Sequence, residues 1–361
     1  MMKFYIDSVY LACFFWAFCF GATHLQGQER SEPFEFTFED KVYSGLIDYP
    51  EGEPNSLIIL IPGSGRTNMV EGNWYYEDLQ TMFVEQGLAV MVYDKAGCGK
   101  SEGAFDYNQS VQNSSLEVLA AIAELREQKI PGSDQIGLWS HSRGGWIAPL
   151  VIQQDPEIAY WISASGPDHL ETIGYFFEAN WRVQGRSEEE IELLYAEWLA
   201  GFTIQRKGGT YEEYLAASPN VKKDSMMLAL RGGKFNTEEK FYSFQKVLEG
   251  ESFDEETGLT IIVPDFAEVL SEIKCPVLAV FGEKDSQVHW QRSLALYQKT
   301  IGENDLLTYM TLPDGNHFLL SCETGGYLEK ISELRERGLG QPCEGYYPKI
   351  QSWLSSLGYS H

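Results

Sequence analysis

The sequence is short of positive charge, cysteine and histidine. It has 27 lysines and arginines against 53 aspartates and glutamates, and its formal net charge is −26. Nucleic acids and anionic membrane surfaces bind basic side chains, so this balance argues against both as partners. The six cysteines and six histidines show no spacing typical of a zinc site. We expect neither a metal ion nor an organic cofactor.

A hydrophobic segment long enough to span a bilayer is also missing. The run from Val9 to Phe20 has twelve apolar residues, whereas a membrane-spanning helix needs about 20. Lys3 precedes the run, and small or polar residues from Gly21 to Gln28 follow it, as in a secretory signal peptide. We predict that residues 1–28 are a signal peptide and that the mature protein is exported, periplasmic or extracellular, without stable membrane insertion. A retained anchor is the alternative.

Four cysteines remain outside this segment, too few for a disulfide framework in a chain of this size. Cys322 and Cys343 bracket a segment of roughly twenty residues, and a bridge between them would stabilise an exported protein. The sequence leaves open whether these two are bridged. Cys98 and Cys275 lie beside predicted buried strands, where we expect free thiols.

The chain after the signal peptide alternates between strand and helix patterns. Alternating apolar residues from Pro33 to Tyr49 predict two antiparallel strands at the edge of a sheet. Continuous apolar runs such as Leu57 to Ile61 and Leu88 to Tyr93 predict buried parallel strands. Strands separated by helices in this way are typical of a parallel sheet with helices on both faces.

This alternation stops between about Leu170 and Leu270. The interval is mostly helical in pattern and rich in glutamate and aromatic residues. We therefore predict a sheet-containing core, residues 32–169 and 271–361, interrupted by a helical insertion, residues 170–270. The insertion should cover the C-terminal edge of the sheet, where open parallel sheets bind ligands. Most of its aromatic side chains are expected to form a core of their own.

The stretch from Gln135 to Trp146 has the most informative pattern. An apolar strand is followed by Ser140-His141-Ser142-Arg143-Gly144 and then by a helix pattern. A serine in such a turn is exposed above the sheet, and the next backbone N–H lies at a helix N-terminus. Ser142 is therefore a candidate nucleophile, and the Arg143 N–H a candidate donor to an oxyanion. By itself the motif fits an ordinary strand-to-helix turn equally well.

This turn departs from the usual pattern Gly-x-Ser-x-Gly at its first position, where Ser140 replaces glycine. The position is crowded and favours small side chains. We expect Ser140→Gly to be tolerated and Ser140→Leu to disrupt the turn.

A second glycine-rich turn, Pro62-Gly63-Ser64-Gly65, follows the strand predicted at Leu57 to Ile61. Its glycines leave the backbone free to point N–H groups into a pocket, as an oxyanion hole requires. The Ser64 N–H is the second candidate donor, although the motif is also compatible with a simple turn.

Five loops, each after a predicted strand, together resemble the α/β-hydrolase superfamily. In particular they resemble exported bacterial carboxylesterases of the branch related to dienelactone hydrolases and prolyl-oligopeptidase-like enzymes. The resemblance covers most of residues 32–357 except the insertion and the stretch after His317. It implies an α/β-hydrolase fold, with a mostly parallel, doubly wound sheet and a helical cap insertion. The loops are Pro62 to Gly65, Asp94 to Gly103, Ser140 to Gly145, Gly282 to Val288 and Gly315 to His317.

The superfamily orders its catalytic residues as nucleophile, acid and histidine. A serine hydroxyl needs a base of pKa near 7, which imidazole provides. His317 follows the last predicted strand and is the expected base. The strand-to-helix turn from Ser140 to Gly145 is called the elbow, and His141 in this elbow should point away from Ser142. A buried carboxylate orients such a histidine, and Asp285 is assigned this role. Asp168 is the alternative, because some members of the fold place the acid after the preceding strand.

The predicted activity is the hydrolysis of carboxylic esters with small or medium acyl groups, through an acyl-enzyme on Ser142. The expected partner is a small-molecule ester, and the oligomeric state is left open. The same three residues would equally serve a peptidase, an amidase or an acyltransferase. A catalytically silent binding module is the remaining alternative, although such modules usually lack one of the three residues, and all are present here.

Overall fold

The structure, a computed structural model, describes residues 30–72, 74–230 and 237–360. The predicted signal peptide at residues 1–28 lies outside the described residues. Within the described ranges, no helix is both long and apolar enough to cross a membrane.

The described chain alternates strands and helices up to residue 164 and again from residue 266. The strands are β1 (Arg30–Phe38), β2 (Lys41–Tyr49), β3 (Leu57–Ile61), β4 (Ala89–Tyr93), β5 (Ile136–His141), β6 (Tyr160–Ala164), β7 (Ser252–Phe253), β8 (Thr260–Ile261), β9 (Val277–Gly282) and β10 (Leu307–Leu312). The helices are α1 (Trp74–Glu85), α2 (Val111–Glu127), α3 (Gly144–Gln154), α4 (Ile173–Val183), α5 (Glu188–Arg206), α6 (Tyr211–Ala217), α7 (Ser225–Leu230), α8 (Glu238–Val247), α9 (Phe266–Ser271), α10 (Trp290–Thr300), α11 (Ile331–Glu336) and α12 (Tyr346–Leu357).

The main sheet has the strand order β1-β2-β4-β3-β5-β6-β9-β10. The β1–β2 hairpin is antiparallel and pairs antiparallel to β4, whereas the other neighbours are parallel. The predicted edge hairpin and the predicted mostly parallel sheet are both confirmed. The short strands β7 and β8 form a separate antiparallel pair. Because the other strands after β2 run in one direction, the loops at their carboxyl ends lie along one edge of the main sheet.

The sheet is buried on both faces, which explains why its central strands are apolar throughout. In β3, Leu57, Ile59 and Ile61 belong to one hydrophobic cluster, together with residues of α2, α3 and α9. Ile58 and Leu60 belong to a second cluster, with residues of α1 and α12. Successive side chains of a strand point to opposite faces, so helices cover both sides of this sheet.

The insertion has a core of its own. A third cluster is formed by buried residues of the interval between β6 and β9, and its aromatic members are Phe176, Phe177, Trp181 and Trp198. The last residue of this cluster along the chain is Ile261, whereas Val263 and three residues of α9 pack in the first sheet cluster. The chain thus packs against the first sheet cluster again from Ile262 onward.

The disulfide considered between Cys322 and Cys343 is not formed. All four cysteines of the described residues are buried free thiols. The Cys322 thiol donates to the Asp314 backbone carbonyl at 3.2 Å. Backbone pairing joins the two segments, with Cys343 N–H bonded to the Leu319 carbonyl, but neighbouring backbones do not require the sulfur atoms to meet.

Candidate active site

Ser142 occupies a strained turn between β5 and α3. Its φ is 53°, a left-handed conformation that non-glycine residues rarely adopt. Its N–H bonds the Ala164 carbonyl at 3.0 Å, and its own carbonyl accepts from Gly145 N–H at 2.7 Å. A Cβ at Gly144 would lie 2.7 Å from the Ile61 carbonyl oxygen, so the turn packs closely against the end of β3. These contacts hold a partly exposed serine at the carboxyl end of β5.

Ser140, at the departure from the usual pattern, has a hydrogen-bonding role. Its side chain is completely buried, and its Oγ accepts from Trp161 Nε1–H at 2.8 Å. Glycine at this position would leave the buried indole N–H without that acceptor. The expectation that Ser140→Gly is harmless therefore needs revision, because the cost of an unpaired buried donor was not visible in the sequence.

Asp285 follows β9 and His317 follows β10, and these two strands are parallel neighbours in the sheet. His317 Nδ1 lies 2.8 Å from Asp285 Oδ2, and the two residues are 4% and 2% exposed. The other carboxylate oxygen accepts from the backbone N–H groups of Gln287 and Val288, at 2.7 and 2.9 Å. A carboxylate held in this way orients the imidazole, with Nδ1 as donor and Nε2 left as the basic nitrogen.

Asp168, the alternative acid, has different partners. Its Oδ2 accepts from Arg292 Nε at 2.5 Å, and its Oδ1 accepts from Leu170 N–H at 2.9 Å. The structure thus brings Asp285, and not Asp168, to His317.

His141 lies against His317, a contact that the sequence analysis did not foresee. The two ring centroids are 4.8 Å apart, and His141 Nε2 is 2.9 Å from the His317 carbonyl oxygen. Because a carbonyl only accepts, Nε2 carries the proton of a neutral ring. The ring also stacks on Trp139 and Phe318. Burial, followed by the proximity of His317, lowers the pKa of His141 to about 3.

The glycine-rich turn that contains Ser64 packs directly on the elbow. A Cβ at Gly63 would lie 3.2 Å from Ser142 Cβ and 3.2 Å from His141 Nδ1, so this position accommodates little more than glycine. The predicted oxyanion donor, Ser64 N–H, thus belongs to a turn in van der Waals contact with the predicted nucleophile.

Lys95, in the loop after β4, supports this turn from a second side. Its Nζ donates to the Gly63 carbonyl at 2.5 Å and to the Gly65 carbonyl at 3.1 Å. Burial, followed by the positive charge of Arg143, lowers the pKa of Lys95 to about 8. The sequence analysis did not single out this lysine, and a lysine in a polar loop carries no signal for such a role.

The Arg143 side chain ties the elbow to the N-terminal part of α2. Its Nη2 donates to the Gln109 carbonyl at 2.5 Å and to Ser114 Oγ at 3.0 Å. Gln109 in turn donates to the buried Glu117 carboxylate at 3.2 Å. Burial raises the pKa of Glu117. The Arg143 guanidinium and the Glu117 carboxylate attract each other electrostatically.

In the part of the chain that the structure describes, no cluster of three or more histidine, cysteine, aspartate or glutamate side chains could hold a metal ion.

Known proteins share the arrangement of these strands and loops. Residues 52–171, which include β3, the elbow and the loop after β6, match the model of the serine aminopeptidase S33 family. A solved esterase from Pyrococcus furiosus aligns with a TM-score of 0.51 over 91% of this chain and 93% of its own, at 14% identity. The chain has an α/β-hydrolase fold.

Other structures with this fold include peptidases. A proline iminopeptidase from Mycobacterium smegmatis has a TM-score of 0.51 and 15% identity, over 90% of this chain and 98% of its own. An acylaminoacyl peptidase from Pyrococcus horikoshii has a TM-score of 0.52 and 12% identity, over 93% of this chain and 43% of its own. No curated protein matches the sequence. Ser142, Asp285 and His317 follow their strands in the chain order that α/β-hydrolases use for nucleophile, acid and histidine.

Proposed function

We propose that the protein is a serine hydrolase that cleaves carboxylic esters through an acyl-enzyme on Ser142. The observation that carries the proposal is the 2.8 Å hydrogen bond between His317 Nδ1 and Asp285 Oδ2, and the strained turn that holds Ser142 at φ 53° supports it. A buried carboxylate–imidazole pair is the arrangement that activates a serine hydroxyl as a nucleophile.

In the proposed reaction, Ser142 Oγ attacks the ester carbonyl carbon and its proton passes to His317 Nε2. The negative charge on the carbonyl oxygen is stabilised by the N–H groups of Ser64 and Arg143. The tetrahedral intermediate breaks its carbon–oxygen bond, and the leaving alcohol takes the proton from His317. Water then attacks the acyl-enzyme with His317 as base, which releases the acid and restores Ser142.

The proposed substrate has a small or medium acyl group, because the helical insertion contacts the loop after β9 that contains Asp285. Tyr175 of α4 donates from its hydroxyl to the Asp285 backbone carbonyl at 2.9 Å. Its ring also packs on His289, with centroids 4.7 Å apart. A helical layer attached at this point would enclose the acyl pocket and limit its depth. We also propose, from the sequence of residues 1–28, that the protein acts after export.

Hydrolysis of a peptide or amide bond is the second candidate. It is favoured by the match of residues 52–171 to a serine aminopeptidase family model. Both candidates use the same covalent intermediate, so they differ in the leaving group and in the recognition of the rest of the substrate.

The decisive experiment treats the mature protein with a fluorophosphonate probe and maps the labelled peptide. Labelling at Ser142, and loss of labelling in Ser142→Ala, are the expected results. A panel of p-nitrophenyl esters and aminoacyl anilides then separates the two candidates through kcat/KM. Label on another residue, or none on the folded wild type, would refute the proposed mechanism.

A further inference from the structure

Lys95 offers an inference that rests on the proposed function and goes beyond it. We propose that Lys95 is a positioning residue for the oxyanion site. By binding the carbonyl groups of Gly63 and Gly65, it holds the intervening backbone so that the Ser64 N–H faces the reacting carbonyl group.

The geometry of the peptide bond links the orientation of the Gly63 carbonyl to that of the Ser64 N–H. A trans peptide is planar, and its C=O and N–H point in opposite directions. The Gly63 carbonyl and the Ser64 N–H belong to one such peptide. Because Lys95 binds that carbonyl, the N–H points away from the lysine. Gly63 itself lies against the elbow, where a Cβ would come within 3.2 Å of Ser142 Cβ.

The turn needs such a restraint because glycine precedes and follows Ser64. Gly65 has a φ of 94°, and no atom lies within 4 Å of the position that a Cβ would take there. Glycine gives the backbone little steric resistance to rotation. The peptide between Gly63 and Ser64 can therefore flip by about half a turn and point its carbonyl, rather than its N–H, into the site. The hydrogen bond from Lys95 to the Gly63 carbonyl opposes that rotation directly, and the bond to the Gly65 carbonyl holds the ammonium group in place.

Stability alone does not account for a lysine at this position. The ammonium group is partly buried, and among the described residues no carboxylate forms a direct ion pair with it; the Glu117 carboxylate attracts it only from a greater distance. Withdrawing an ammonium group from water without a carboxylate partner costs free energy, whereas an apolar side chain of similar length has no such cost. This free-energy cost is explained if the ammonium group orients backbone dipoles toward the negative charge that develops in the transition state.

Other contacts between the two loops do not involve the Lys95 ammonium. The Lys95 N–H bonds Thr67 Oγ1 at 2.9 Å, and the Met69 N–H bonds Asp94 Oδ1 at 2.7 Å. Arg66 also donates to the Gly97 carbonyl at 2.9 Å. Replacing the ammonium group should therefore leave the loops joined and release only the peptide that contains the Ser64 N–H.

The test compares Lys95→Met, which keeps the length of the side chain, with Lys100→Met, which removes an exposed lysine of the same loop. We measure kcat and KM for p-nitrophenyl butyrate and the inhibition constant of a trifluoromethyl ketone, which forms a tetrahedral oxyanion with the serine. Lys95→Met should lower kcat by 10²-fold or more, the order found for loss of one oxyanion donor. Its KM should change less than about twofold, as expected when only transition-state stabilisation is lost. The inhibition constant should rise by a factor similar to the loss in kcat, while Lys100→Met matches the wild type.

Thermal unfolding checks that Lys95→Met is folded, and Lys95→Ala, which also lacks a donor, is assayed by the same criterion if it is not. Unchanged kcat, or a fall in kcat without a matching rise in the inhibition constant, would overturn the inference. The proposed function is tested separately by the wild type. If the wild type neither cleaves the ester nor binds the ketone covalently, the function itself is wrong; if only the variants behave like the wild type, Lys95 alone has been misassigned.

Discussion

His141 Nε2 lies 2.9 Å from the backbone carbonyl oxygen of His317, although the two residues are 176 positions apart in the chain. This contact joins the end of β5 to the loop after β10, so the serine-bearing and histidine-bearing loops are fastened to each other. The strands themselves are not neighbours, because β6 and β9 lie between them in the sheet. The relative position of Ser142 and His317 therefore depends on packing at this point.

The first prediction concerns the three proposed catalytic residues. Ser142→Ala and His317→Ala should each lower kcat by about 10⁴-fold or more with the fold intact, because the residues act as a unit. Asp285→Asn should be severe but less complete. Asp168→Asn is the matched control, since Asp168 binds Arg292 instead of His317. Steady-state kinetics and circular dichroism of the four variants provide the comparison, and a larger loss in Asp168→Asn would move the acid assignment to that residue.

A second prediction follows from the role of His141 in positioning His317. His141→Phe keeps an aromatic ring in the stack but removes the hydrogen bond to the His317 carbonyl. We expect kcat/KM to fall by about 5-fold, the equivalent of one net hydrogen bond of roughly 1 kcal/mol. The acidic limb of the pH–rate profile should keep its position, because burial lowers the pKa of His141 to about 3. An acidic limb that disappears in His141→Phe would identify His141 as the titrating base.

The same pKa gives a third prediction, for stability against pH. His141 has a pKa of about 3 in the folded protein against a usual value of 6.5, so the unfolded chain binds more protons between these values. Stability should therefore fall as the pH is lowered through this window, by about 2 kcal/mol between pH 6.5 and 5 from this group. His141→Phe should remove about one proton from the slope of unfolding free energy against pH. Urea denaturation at several pH values measures that slope, and identical slopes in both proteins would contradict the prediction.

Ser140 and Trp161 give a fourth prediction. Ser140→Gly should destabilise the protein by about 1 to 3 kcal/mol, because it leaves the buried indole N–H unpaired. Trp161→Phe removes the donor, although it also changes the packing of the core. In the double variant the loss of the hydrogen bond is counted once, so the two effects should not add. Denaturant unfolding of both single variants and the double variant measures the coupling, and strictly additive effects would show that this hydrogen bond contributes nothing.

The fifth prediction tests the size of the acyl pocket. For p-nitrophenyl esters, kcat/KM should rise over the first few acyl carbons, with about 0.8 kcal/mol for each methylene group buried. It should then fall by the length of a lauroyl chain, when the acyl group reaches the helical insertion. A rate that continues to rise through palmitate would rule out an enclosed pocket and indicate a lipase.

The sequence was sufficient for the local structure of the sheet and for the order of its loops. The edge hairpin, the buried parallel strands and the strand-to-helix turn at Ser142 were all predicted. Strand and helix patterns depend on residues only a few positions apart, and a turn depends on the backbone freedom of its own residues. The positions of Ser142, Asp285 and His317 after their strands could therefore be read directly from the chain.

Interactions between side chains that are far apart in the chain were decided only by the tertiary structure. The sequence favoured Asp285 as the partner of His317 and kept Asp168 as the alternative, and nothing in it pointed to Lys95 as the support of the Ser64 turn. It left open a Cys322–Cys343 bridge that the structure does not contain, and it missed the hydrogen bond between Ser140 and Trp161. A hydrogen bond depends on distances of a few tenths of an ångström between groups far apart in the chain. Those distances are determined by how helices and strands pack, which no local pattern of residues encodes.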